Sequence, residues 1–130
     1  MDITIEAAEH AIQQAVQKAD SIMVAVNIAV LDTSGYLKAF KRMDNAFLGS
    51  IDIALQKAKT AMLFRTTSES VGEFLRPSAE AYGIENTSGG LVGFAGGRPI
   101  MLNEKIIGYI GVSGGAVPQD AAIAIAGSIV

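Results

Sequence analysis

The sequence predicts a single α+β domain, an α/β layer structure in which one antiparallel sheet of about five strands is flanked by helices. Three observations predict it. Apolar residues recur at helical spacing near both ends of the chain and once in the middle. Strand-like runs come in neighbouring pairs joined by short turn sequences, which makes their pairing antiparallel. The 130 residues carry no repeat, linker or low-complexity tract, so residues 1–130 read as one domain.

The elements follow in order. Thr4 caps a first helix running to Ala19, with Glu6 in its first turn, where the helix dipole favours an acid. Ala8, Ala11, Ile12, Ala15, Val16 and Ala19 share one face, and His10, Gln13, Gln14 and Gln17 lie opposite. Met23 to Leu31 is apolar on both alternating sets and predicts an interior strand. Asp32-Thr33-Ser34-Gly35 is turn chemistry, and Tyr36 to Arg42 returns beside it. Ser50 is positioned to cap a second helix ending near Phe64. Ser68 to Leu75 predicts a short third helix, and Pro77 to Thr87 predicts none. Leu91–Ala95, Pro99–Leu102 and Ile106–Ser113 predict three more strands, the last two closed by Asn103-Glu104-Lys105. Pro118 and Asp120 open a final helix through Ala121 to Ile129.

Composition removes several function classes. The net charge of −3 lacks the basic excess of a nucleic-acid binder. No apolar run approaches the ~20 residues of a membrane span. The N-terminus has no cationic, apolar leader pattern. No cysteine is present, which excludes thiolate metal sites and cysteine nucleophiles and fits a reducing, cytoplasmic setting. One histidine, His10, cannot form a multi-histidine metal site within one chain. Ser113 has no histidine near it in sequence, so no nucleophilic triad is suggested and enzymatic activity is not the expectation.

Four blocks in order carry a family resemblance. They are Ile28-Ala29-Val30-Leu31-Asp32 with Gly35; Arg42-Met43-Asp44 followed by Ala54, Lys57-Ala58 and Thr60-Ala61; Gly96-Gly97-Arg98-Pro99-Ile100; and Gly108 to Gly114 with Asp120. Together they resemble the GlcG/HbpS family, which includes the C-terminal domain of PduO-type proteins. The resemblance implies a profilin-like fold, a homo-oligomer and, in some members, haem binding. Where many members have a histidine after the first turn glycine, this chain has Tyr36.

The candidate site residues combine that resemblance with side-chain chemistry. His10, or Tyr36 as a phenolate, is the candidate ligand for haem iron. Arg42 and Met43 are candidates for a pocket rim, as a cation and a soft apolar wall. Arg98 beside Gly96-Gly97 is placed to pair with an anion. Ser113, Gly114 and Gly115 lead from a strand into a helix start, where free amides would suit a propionate or other small anionic ligand. The same stretch also reads as a tight turn that needs small residues. Lys57 tracks the apolar side of the second helix, and Asp44 is its candidate partner.

The expected function is therefore small-ligand binding, with haem or a related tetrapyrrole held or sensed in a pocket that the oligomer completes. One alternative is an accessory protein or enzyme for small carboxylates or cobalamin-linked metabolism, with Arg98, Arg42 and Gly114-Gly115 clamping an acid. The other is a ligand-free structural subunit.

Overall fold

The computed structural model describes residues 1–130. Its order is α1 (Ile5–Ser21), β1 (Asn27–Leu31), β2 (Leu37–Arg42), α2 (Gly49–Phe64), α3 (Ser68–Gly72), two single 3₁₀ turns (Glu73–Leu75 and Ile84–Asn86), β3 (Gly97–Leu102), β4 (Lys105–Ser113) and α4 (Val117–Ser128). The sheet is antiparallel throughout, in the order β2-β1-β4-β3. It has four strands rather than five. Leu91–Ala95 forms none, because its backbone donors are used elsewhere. Leu91 N–H donates to Glu85 O, and Val92 N–H donates to the Thr60 hydroxyl.

The layers follow from which residues alternate to which face. Ile28, Val30, Ile110, Val112 and Ile100 point to the side covered by α1 and α4, and form the main core with Ala8, Ala11, Ile12, Ala15 and Ile123. Leu31 and Tyr109 point to the other side and pack on Ala58 and Ala61 of α2. That second contact is unusually close. A Cβ on Gly111 would lie 2.0 Å from the Ala54 carbonyl oxygen, and one on Gly97, its cross-strand partner, 2.2 Å from the Lys57 carbonyl oxygen. The two glycines make a flat notch that seats α2 on the sheet.

Element boundaries moved where the backbone closes helices. α1 runs to Ser21, and Ile22 is its C-cap. Met23 adopts φ +56° and donates to Asp20 O, while Val24 donates to Ala19 O. This is a Schellman closure with methionine at the position glycine usually fills. It delays the first strand to Asn27. α2 starts at Gly49 with no side-chain cap, so Ser50 lies inside the helix and does not cap it. Asn103 and Glu104 both have positive φ, as a two-residue hairpin turn requires.

Candidate functional site

The most developed polar arrangement centres on Lys57. The helical period of α2 carries this residue toward the sheet, where it is fully buried. Its Nζ donates to Val112 O at 2.9 Å and to Asp120 Oδ2 at 3.0 Å. The Phe94 ring centroid lies 4.9 Å from the same nitrogen. Gly96, at φ +134°, leaves room for the stem, since a Cβ there would be 2.8 Å from Nζ. The expected partner Asp44 is exposed and takes no part; the partner is Asp120, in the first turn of α4. Burial pushes the Lys57 ammonium below its ordinary pKa, and the Asp120 charge only partly offsets this.

Asp120 also decides the chemistry of the strand-to-helix join. Its Oδ1 accepts from Gly115 N–H at 2.8 Å, and Gln119 Oε1 accepts from Ala116 N–H at 2.9 Å. Two of the amides expected to greet an anion, those of Gly115 and Ala116, are thus taken by the chain's own side chains, which cap the join from within. Ser113 is buried opposite Asn27 of β1.

The remaining candidates fall in different places. His10 is exposed on the outer side of α1. One turn on, Gln14 donates to the carbonyls of Ala126 and Ile129, which brings the end of α4 beside it. Ile125, Ile129 and Val130 leave large apolar surface there. Tyr36 is 74% exposed at the β1–β2 turn, on a different element. Arg42, Met43 and Asp44 do come together, in an open cavity of about 650 Å³ with Val16, Asp20, Met23, Val24, Ala25 and Lys41. Arg98 lies on β3 opposite Ile110, with its Nε buried and unpartnered. β2 and β3 are opposite edges of the sheet, so Arg42 and Arg98 do not form one clamp. No cluster of three metal-ligating side chains is present, and no helix is long and apolar enough to cross a membrane.

Sequence reasoning missed two residues. Asn27 is fully buried, and its Nδ2 donates to Phe47 O, the carbonyl that also accepts from Ser50 N–H. It ties β1 to the start of α2. Its signal was an amide inside an otherwise apolar strand. Phe94 gave no signal, because its ring meets Lys57 only through the fold.

Fold and site together define a small three-layer α+β domain whose buried polar residues brace the structure. The profile of a family described as "Haem degrading protein HbpS-like" matches residues 3–128, and the chain belongs to that family. It is 42% identical over 123 residues to an uncharacterized 15.0 kDa protein in the dhaT-dhaS intergenic region of Citrobacter freundii, covering 94% of this chain and 87% of that one. It is 35% identical to the corrinoid adenosyltransferase PduO of Salmonella typhimurium over 111 residues, which are 85% of this chain but 33% of PduO. A crystal structure described as a PduOC:heme complex superposes with a TM-score of 0.92 at 30% identity, covering 99% of this chain and 96% of that one.

Proposed function

We propose that this protein binds haem at a surface built from α1 and the end of α4, with His10 supplying the iron ligand and a second copy closing the pocket. The observation that carries the reading is the full-length likeness to a haem-bearing domain, TM-score 0.92, in a chain whose one imidazole is exposed.

The residues fit the group in part of what it needs. An exposed imidazole is a standard axial donor. Ile125, Ile129 and Val130 supply apolar ground near it for the macrocycle. A single subunit offers no enclosure at that face, which is why the reading includes a second copy. Bound haem would supply redox and gas-binding chemistry. The chain's own contribution would be to hold the macrocycle, fix its iron ligand and exclude water.

Titrating hemin into the purified protein tests this. A shifted Soret band is expected, saturating near one haem per bound site and lost in His10→Ala. Tyr36→Phe is expected to titrate like the parent. An unshifted spectrum in the parent, or an unchanged one in His10→Ala, would contradict the assignment.

A further inference from the structure

We propose that the free edge of β2, beside α1, receives an extended acidic segment of another protein as a fifth strand. The sheet order leaves β2 unpaired on its outer side. An unpaired strand edge offers a row of backbone donors and acceptors to an incoming chain. Two concavities lie along this edge. The first, already described, holds Arg42 and Met43. The second, about 640 Å³, is lined by Ile5, Glu9, Ile12 and Gln13 of α1 and by Lys38 to Lys41 of β2. Lys41 lines both, so the two concavities adjoin between helix and edge.

The strand itself states the chemistry of the guest. Leu37-Lys38-Ala39-Phe40-Lys41-Arg42 carries three cations and no anion. Register fixes where each points. Ala39 pairs with Val30 and Lys41 with Ile28, so both face the α1 side; Phe40 pairs with Ala29 and Arg42 with Asn27, so both face the other. Lys38 falls at the bulge between Val30 and Leu31. An antiparallel guest therefore meets a cation on each face at one end and an apolar side chain on each face at the other. The complementary pattern is two acidic residues followed by two apolar ones, since opposite charges pair favourably across strands and like charges do not. The same cations disfavour a second β2 docking edge to edge, so the guest is not another copy of this strand. Glu9 and Asp20 on the helix rim, and Asp44 just beyond Arg42, confine the guest's acids to the Lys41 and Arg42 positions of β2.

Fluorescence polarisation with a labelled octapeptide centred on Glu-Glu-Val-Ile tests the proposal. It is expected to bind at least about tenfold tighter than the Lys-Lys-Val-Ile peptide, and to weaken with salt. In the Lys41→Glu/Arg42→Glu variant, whose two sites are exposed, the preference is expected to reverse. N-methylation of one alternate set of peptide amides is expected to abolish binding, and methylation of the other set to leave it. No binding of the acidic peptide, equal binding of both peptides, or indifference to both methylation patterns would overturn it.

Discussion

The ammonium of Lys57 sits 3.0 Å from the carboxylate of Asp120, with 0% and 3% of the two side chains open to water. The pair joins α2, on one face of the sheet, to α4, on the other. Removing one partner strands a buried charge. Lys57→Met and Asp120→Asn are each expected to cost about 3–5 kcal/mol. The double variant Lys57→Met/Asp120→Leu is expected to recover much of that loss, because no uncompensated charge remains. Chemical denaturation of the three variants measures this, and additive losses in the double variant would show that the two residues do not act as a pair.

The same pair makes a pH prediction. Lys57 has its folded pKa depressed below its ordinary value of 10.5, chiefly by burial. Between the folded pKa and 10.5 the unfolded chain binds a proton that the folded chain has released. Stability contributed by this group therefore rises with pH across that window and is lower below it. The difference in unfolding free energy between the parent and Lys57→Met/Asp120→Leu is expected to shift in the parent's favour across that window. A shift the other way would mean that Asp120 outweighs burial.

The glycine notch under α2 sets a steric prediction. A methyl at Gly111 would sit 2.0 Å from Ala54 O and 2.7 Å from Ala58 N, both backbone atoms of the helix. Gly111→Ala is expected to cost about 3 kcal/mol or more, since α2 must lift off the sheet. Gly49→Ala meets nothing within 4 Å, so it is expected to be neutral or slightly stabilising. Thermal melts of the two variants separate them directly.

Met23 holds φ +56° while 91% exposed. Its side chain contributes little packing, yet its backbone bears the strain of the left-handed region. Met23→Gly is expected to raise stability by about 1 kcal/mol, read as a higher denaturation midpoint. A lower midpoint would show that the methionine side chain contributes more than its exposure suggests.

How far the sequence disclosed this molecule depended on the range of the interactions involved. The α1 cap at Thr4, the apolar faces and the hairpin turn at Asn103-Glu104 are local, and were readable from spacing and residue type. Leu91–Ala95 has strand composition, but the hydroxyl of Thr60 and the carbonyl of Glu85 compete for its donors. Lys57 on an apolar helix face signalled a partner, yet only the fold brings Asp120 to it across 63 positions, where sequence proximity favoured Asp44. The glycine run before α4 looked open to an anion because nothing in its spacing shows that Asp120 and Gln119 turn back onto its amides. Arg42 and Met43 line one cavity because the two are adjacent in the chain; Arg98 was not separable from them until strand order placed it on the far edge.

Sedimentation velocity recorded at the Soret wavelength, on the parent and on His10→Ala in the presence of hemin, tests the haem proposal most directly. The parent is expected to carry the haem signal in a boundary of at least two subunits, and His10→Ala to leave that signal unsedimented. Haem travelling with a single subunit, or equally with His10→Ala, would contradict a pocket built from His10 and closed by a second copy.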